Sequence, residues 1–259
     1  MNLLNPKTAL DLNTLRNVLI RLEDTIIFAL IERAQFALND ITYKPGYYKY
    51  ENEYEGSFLG YFLHEMEKVH AKVRRYTSPD EYPFTEPLPK PILPKLDFPP
   101  VLHANNINVN NDIMKLYLHD IVPRVCAPED DKNYGSSATR DVECLQALSK
   151  RIHYGKYIAE AKFQDPKEQD IYIRLIKAGD RNGIMELLTN RKVEEALLRR
   201  LRRKAMIYGA DITETGDIVC ENQTAATKIS PDVVVDLYER FVIPLTKEVE
   251  VEYLMQRLD

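Results

Sequence analysis

The sequence predicts an all-α protein, and two observations support that prediction. Apolar residues recur at three- and four-residue spacing along most of the 259 residues, which is typical of the buried stripe of an amphipathic helix. Convincing half-buried strands are absent from the sequence, although Glu248, Glu250 and Glu252 alternate with apolar residues at period two. The expected architecture is therefore a multi-helix bundle, either one domain or two lobes that share one core.

The first half of the chain predicts two long helices followed by an extended connection. The first helix runs from Thr8 to Phe36, and a second covers residues 57–76 with Ser57 as a plausible N-cap. Residues 78–100 then contain eight prolines, a density that excludes both a helix and a central strand. Residues 77–110 are expected to form an extended connection along the surface.

Helical periodicity resumes in the second half. Helices are predicted at residues 111–125, 137–164, 168–178, 180–188, 191–208 and 231–258, the last of them bent near Pro244. The segment 214–229 has no periodicity and is expected to be a mobile loop. The longest of these helices, residues 137–164, contains the most informative side chains.

Composition excludes several classes of function. The net charge of −5 disfavours a nucleic-acid or anionic-membrane binder, since either would need a basic surface. The three cysteines are far apart and form no CxxC pair, so the sequence suggests neither a zinc site nor a disulfide framework. Such cysteine usage favours a reducing compartment. No targeting segment and no apolar run of membrane-spanning length is visible. We therefore expect a cytosolic protein. We also expect no metal or cofactor, because the sequence has no P-loop and no His pair at metal-ligand spacing.

Arg151 and Lys162 form a candidate anion site on one helix. They are eleven residues apart, close to three helical turns, so both side chains leave the same face with Cα atoms roughly 16 Å apart. Gly155 and Ile158 lie on that face too, and the gap at Gly155 is expected to leave room for a small dianion. The alternative is an ordinary helix whose cationic heads are solvated over a buried stem.

Other polar residues add weaker indications. Asn190 and Glu194 stand four residues apart, as do Thr246 and Glu250, but such pairs on a helix are usually solvated. Arg16 projects from the first helix. The basic cluster at residues 199–204 could indicate a nucleic-acid patch, although a solvated helix face fits an acidic chain better.

Three long segments together resemble the fungal and plant chorismate mutases. They are LRNVLIRLEDTIIFALIERAQF, GSSATRDVECLQALSKRIHYGKYIAEAKFQ and VIPLTKEVEVEYLMQRL, and the similarity extends through nearly the whole chain. The resemblance implies an all-helical homodimer without a cofactor that converts chorismate to prephenate, on the route to phenylalanine and tyrosine. Departures from the better-known fungal members lie mainly at residues 39–56, in the Pro-rich segment and at 214–228.

The resemblance also implies a role for individual residues. Arg16 and Arg151 would bind the two substrate carboxylates, Lys162 and Glu250 the ether oxygen, and Glu194 the ring hydroxyl, with Asn190 and Thr246 in lesser positioning roles. Val193 stands where small bacterial relatives have another arginine, so that contact would be absent.

Regulation is implied by the same resemblance. Tyrosine would inhibit and tryptophan activate by binding between helices at the dimer interface. The matching positions are Arg74, Arg75, Asn133, Gly135, Ser136 and Thr139, with Ser230 at a position tied to switching. The alternative function is a non-catalytic regulatory or scaffold protein of the same fold. The presence of five candidate active-site residues counts against it: Arg16, Arg151, Lys162, Glu194 and Glu250.

Overall fold

A computed structural model describes residues 3–5, 9–50, 53–210 and 228–258. Within these residues the chain contains helices and no β-strand, which confirms the predicted fold class. The described α-helices are, in chain order, α1 (Leu12–Ala34), α2 (Phe58–Lys72), α3 (Asn110–Leu116), α4 (Val122–Val125), α5 (Tyr134–His153), α6 (Gly155–Phe163), α7 (Gln169–Ala178), α8 (Arg181–Leu188), α9 (Arg191–Gly209), α10 (Pro231–Leu237) and α11 (Ile243–Met255). Most of the loop expected at 214–229 lies outside the described residues, as does Cys220.

The long helices α1 and α5 pack against each other in the main core. Helix α1 begins where Asp11 accepts a hydrogen bond from the Thr14 backbone N–H at 2.7 Å, an N-cap. Further along α1, Arg33 and Asp141 of α5 form a fully buried ion pair with Nε to Oδ1 at 2.5 Å. Tyr117 also donates to Asp141, so the buried carboxylate is well partnered, as a charge in a core must be.

The single helix predicted at 137–164 is interrupted. Helix α5 ends at His153 and α6 begins at Gly155, so Tyr154 separates the two. Tyr154 keeps a helical backbone conformation (φ −60°, ψ −16°), and its carbonyl accepts from both Tyr157 and Ile158. The junction therefore changes the hydrogen-bond pattern of the helix while the backbone of Tyr154 stays helical.

Two prolines are accommodated by π-helical turns. Residues Tyr117–Ile121 and Tyr238–Val242 form π-helices that end two residues before Pro123 and Pro244. A proline ring clashes with the carbonyl four residues earlier, and a wider turn removes that clash. The single helix predicted at 231–258 is therefore α10, a π turn and α11, whereas 111–125 is α3, a π turn and α4.

The Pro-rich segment has no regular secondary structure between Thr77 and Asn110, and it is fastened to the helices. The buried Glu67 carboxylate of α2 accepts hydrogen bonds from the Phe84 and Thr85 backbone N–H groups, each at 2.8 Å. Lys156 of α6 donates to the Ile107 carbonyl at 2.5 Å. No helix in the described part of the chain is long and apolar enough to cross a membrane.

The basic cluster at residues 199–204 is largely neutralised within the fold. Arg200 and Lys204 of α9 bind the buried Glu23 of α1 at 2.7 and 3.2 Å. Arg202 pairs with Asp232 at 2.6 Å. The cluster fastens α9 to its neighbours, so only part of it is a solvated face.

Candidate active site

One cavity of about 220 Å³ lies between α1, α5, α6, α8, α9 and α11. It is lined by all seven residues that the sequence predicted for a substrate site: Arg16, Arg151, Lys162, Asn190, Glu194, Thr246 and Glu250. Seven apolar side chains complete the wall, namely Leu12, Leu19, Ile158, Leu188, Val193, Leu197 and Ile243. Apolar side chains around convergent polar groups are typical of a small-molecule site.

Arg151 is the most buried cation in this cavity, with 4% of its surface exposed. Its Nη1 donates to the Thr246 hydroxyl at 3.3 Å, and that hydroxyl donates onward to the Val242 carbonyl at 2.6 Å. Among the described residues, the Arg151 Nε has no hydrogen-bond partner. A buried N–H without a partner is costly, so this guanidinium has binding capacity left for an anion.

Lys162 lies eleven residues further along the same helical pair, near the C-terminal end of α6. Its Nζ donates to the Leu188 carbonyl at 2.8 Å, at the C-terminus of α8, where the helix dipole favours a cation. It also lies 4.0 Å from Oε2 of Glu250. Lys162 is therefore held in place by α8 and α11 while its remaining N–H groups stay available.

Glu250 is the buried acid of the cavity. Burial raises the pKa of its carboxyl to about 7, against the opposing effect of Lys162 and Arg151. A carboxyl with such a pKa is partly protonated near neutral pH and can donate a hydrogen bond. Glu250 therefore lies in the interior, although polar pairs four residues apart, such as Thr246 and Glu250, are usually solvated.

Gly155 has a different role from the one its spacing suggested. A Cβ added there would lie 2.8 Å from the Thr246 carbonyl oxygen and 3.1 Å from Cγ of Glu250. The expected gap for a dianion is therefore filled by α11. Glycine is required because it lets α11 approach, which brings Thr246 and Glu250 beside Arg151.

The rim on the α9 side is formed by Asn190 and Glu194. The Asn190 side-chain oxygen caps α9 by accepting from the Val193 backbone N–H at 3.2 Å. Glu194 pairs with Lys247 of α11, with Nζ to Oε1 at 2.7 Å. Sequence reasoning missed Lys247, although its spacing of three residues before Glu250 places it near the same helix face.

The charge of the cavity suits a dianion. Four cationic side chains, Arg16, Arg151, Lys162 and Lys247, face the carboxyls of Glu194 and Glu250. The excess of positive charge persists even when both acids are ionised.

The proposed effector residues are not brought together within one chain. Arg75 binds Glu81 at 3.0 Å and Gln146 of α5 at 2.7 Å. Gln146 lies seven residues after Thr139, about 10 Å along the helix at roughly 1.5 Å per residue. Arg74 donates to the Pro94 carbonyl.

The second group of effector residues lies at the start of α5. Asn133 is the N-cap residue without a side-chain cap bond, Gly135 and Ser136 are exposed, and Thr139 donates to the Gly135 carbonyl at 2.8 Å. Ser230 is the exposed N-cap residue of α10.

Comparison with known proteins identifies the family. The sequence model for chorismate mutase type II matches residues 133–251. The chain is 50% identical to the chorismate mutase of Emericella nidulans, covering 100% of this chain and 96% of that protein. The chain belongs to the chorismate mutase family. The Schizosaccharomyces pombe chorismate mutase is 48% identical with complete coverage of both chains, and the chloroplastic chorismate mutase 1 of Petunia hybrida is 47% identical over 96% of this chain and 76% of its own length.

Solved structures of chorismate mutases have the same fold. Aro7p from Candida albicans, in complex with L-Trp, superposes with a TM-score of 0.90 at 42% identity, covering 100% of this chain and 95% of that one. AtCM1 with tyrosine bound in its allosteric site superposes with a TM-score of 0.84 at 46% identity, covering 95% and 96% of the two chains.

Proposed function

We propose that this chain is an isomerase that rearranges chorismate to prephenate in the cavity described above. The observation that supports this most is the convergence of Arg16, Arg151, Lys162 and Glu250 from four helices on one cavity with excess positive charge. Family membership supports the same reaction.

The reaction needs positioning and charge rather than a nucleophile. Chorismate carries two carboxylates, and its rearrangement breaks one C–O bond while forming one C–C bond through a cyclic transition state. Arg16 and Arg151 would bind the carboxylates, since a planar guanidinium can contact both oxygens of a carboxylate. Held in this way, the reactive conformer forms without the entropic cost of finding it.

Lys162 and Glu250 would stabilise the charge that develops on the ether oxygen. Lys162 would donate through its ammonium N–H groups, whereas Glu250 donates only when it is protonated. Donors aimed at the place where negative charge grows are among the strongest catalytic contributions. Glu194 would accept from the ring hydroxyl, with Asn190 and Thr246 in positioning roles.

The test is loss of chorismate, followed by ultraviolet absorbance with the purified protein. Lys162→Ala and Arg151→Ala should each lower kcat/KM by about a hundredfold or more, because each removes a charged contact to the transition state. Lys177→Ala, at an exposed position of α7, is the matched control and should retain wild-type activity. A folded wild-type chain without turnover would instead favour a non-catalytic scaffold protein of this fold.

Control by aromatic amino acids is the second part of the proposal. One homologous structure is a complex with L-Trp, and another has tyrosine or phenylalanine bound in its allosteric site. In this chain, Arg74 and Arg75 lie apart from the Asn133–Thr139 region. We therefore propose a homodimer in which the arginines of one protomer meet the α5 N-terminus of the other, with free backbone N–H groups facing the effector carboxylate.

Effector control is tested by substrate saturation with each amino acid added. Tyrosine should raise the chorismate concentration needed for half-maximal rate, and tryptophan should lower it. Arg75→Gln should weaken both responses. Sedimentation equilibrium should give a mass of about twice 30.1 kDa. Identical curves with and without both amino acids, together with no detectable binding, would refute effector control and leave the mutase activity untouched. Ser230 is included in the proposal as a switch position ahead of α10.

A cytosolic location completes the proposal. Its support is the chemistry of Cys126 and Cys144, which are free buried thiols, as expected in a reducing compartment. Imaging of a fluorescent fusion tests it.

A further inference from the structure

A short segment outside the cavity contacts the junction between α5 and α6. We call residues Ser78–Tyr82 the clasp. Lys150, in the last turn of α5, binds Oδ2 of Asp80 at 2.9 Å and Oε1 of Glu81 at 2.7 Å. Burial alone would lower the pKa of Lys150, but these two carboxylates raise it, so the lysine stays charged and the contacts persist.

The rest of the clasp holds the same junction. The Tyr82 ring stacks on His153 with centroids 4.2 Å apart, and the Tyr82 hydroxyl accepts from Lys156 Nζ at 3.1 Å. The Tyr154 hydroxyl, on the residue that separates α5 from α6, lies 3.5 Å from Oδ2 of Asp80. Every junction residue from His153 to Lys156 except Gly155 thus contacts the clasp.

The substrate side of this junction is a different surface. Arg151 faces the cavity next to Lys150 in sequence, and Gly155 packs against α11. None of the described residues named above as contacting the clasp lines the cavity. The junction is therefore held between the clasp on one side and α11 on the other.

The clasp is also tied to the end of α2. Glu81 Oε2 accepts from Arg75 Nε at 3.0 Å while Oε1 accepts from Lys150. Asp80 and Glu81 are largely shielded, with side-chain exposures of 8% and 16%. One carboxylate thus joins Arg75, three residues beyond the end of α2, to the helix that carries Arg151.

We propose that Asp80 and Glu81 are positioning residues for the substrate clamp, which is the pair Arg151 and Lys162: they fix the α5–α6 junction from outside the cavity, and Glu81 links that junction to Arg75. This inference rests on the proposed mutase function. It concerns the enzyme without any effector, so it stands or falls separately from effector binding.

The clamp is sensitive to small movements of the junction. Arg151 reaches the Thr246 hydroxyl at 3.3 Å, near the long end of a hydrogen bond. At Gly155 even one added carbon would lie 2.8 Å from the α11 backbone, so the junction can move away from α11 but not toward it. Loosening the clasp should therefore draw Arg151 away from the bound carboxylate.

The first test compares two Glu→Gln variants with the wild type. Glu81→Gln removes the charge that joins Lys150 and Arg75. Glu65→Gln, in the exposed Lys68–Glu65 pair of α2, is the matched control. Because Arg151 would bind a carboxylate in both the ground and transition states, Glu81→Gln should raise KM for chorismate about threefold to tenfold with kcat within about twofold. The control should keep both constants.

Asp80→Asn is the second variant and should shift KM in the same direction. If it fails to fold, Glu81→Gln alone decides. Circular dichroism and melting temperature verify that each assayed variant is folded. A folded Glu81→Gln variant with the KM of the wild type would overturn the proposal. An inactive wild type would overturn the proposed function and this inference together.

The link to Arg75 is tested by a double-mutant cycle without effector. Arg75→Gln should raise KM at least twofold, and the Arg75→Gln/Glu81→Gln double variant should match Glu81→Gln alone. Effects that multiply, or an Arg75→Gln variant with wild-type KM, would show that Arg75 does not act through Glu81.

Discussion

Replacing Glu250 with glutamine should remove a decline in activity at alkaline pH. Burial raises the pKa of the Glu250 carboxyl to about 7, although Lys162 and Arg151 oppose the rise. As pH rises through that value the carboxyl ionises, loses its proton for donation, and places negative charge beside an oxygen that is itself becoming negative. A glutamine amide donates at every pH.

The size of the effect follows from the pKa. A group with a pKa of about 7 is roughly 91% protonated at pH 6 and 9% at pH 8, so wild-type kcat/KM should fall about tenfold between these values. The Glu250→Gln variant should change less than about twofold over the same interval. The quantity to follow is kcat/KM, because it reports ionisations of the free enzyme.

The assay is initial-rate chorismate loss in buffers of constant ionic strength from pH 5.5 to 9. Circular dichroism at each pH separates loss of activity from loss of fold. Glu194→Gln is a useful comparison, because this carboxyl pairs with Lys247 at 2.7 Å and should leave the alkaline limb in place. If wild type and Glu250→Gln decline alike, another group titrates and the assignment of Glu250 as a proton donor is refuted.

Three further predictions concern stability and binding. Because folding raises the pKa of Glu250, the associated stabilisation is fully present below the ordinary carboxyl pKa of 4.5 and is lost as pH rises through about 7. Chemical denaturation should show that the wild type loses about 3 kcal/mol of unfolding free energy relative to Glu250→Gln over this range, and parallel curves would contradict this prediction. Gly155→Ala should cost about 1–3 kcal/mol of unfolding free energy through overpacking against α11, whereas Gly135→Ala, with nothing within 4 Å of the added carbon, should not destabilise. Lys247→Met should raise KM roughly tenfold by removing a charged contact worth about 1.5 kcal/mol, with exposed Lys192→Met as control, and an unchanged KM would exclude Lys247 from binding.

Local spacing predicted the residues of the site better than it predicted their surroundings. The eleven-residue interval between Arg151 and Lys162 placed both on one face, and the structure places both in one cavity. Helical periodicity specifies which side chains share a face, because 3.6 residues per turn is fixed by the backbone. It does not specify which helix covers that face, since that depends on long-range packing.

Gly155 shows where this limit lies. On the sequence, a glycine between two cations indicates open space, but in the structure the α11 backbone occupies it. Likewise, the hydrogen bond from Lys162 to the last carbonyl of α8 joins residues 26 positions apart, which no local pattern reveals. The roles of individual residues came from resemblance to a family, because spacing alone predicts only an anion site.

Two cations of the cavity, Arg151 and Lys162, have incomplete negative partners, and this explains how the site can bind a dianion strongly. The described part of the chain leaves the Arg151 Nε without a hydrogen-bond partner, and Lys162 has a carbonyl at 2.8 Å but a carboxylate only at 4.0 Å. Of the two described acids that line the cavity, Glu250 is the buried one, and its pKa is raised to about 7, so it is only partly ionised near neutrality. Desolvating a cation is costly unless a negative partner compensates. A substrate with two carboxylates and an ether oxygen that gains negative charge in the transition state supplies those partners. Part of the free energy lost on folding, when the cations are desolvated, is therefore recovered as binding energy and as transition-state stabilisation.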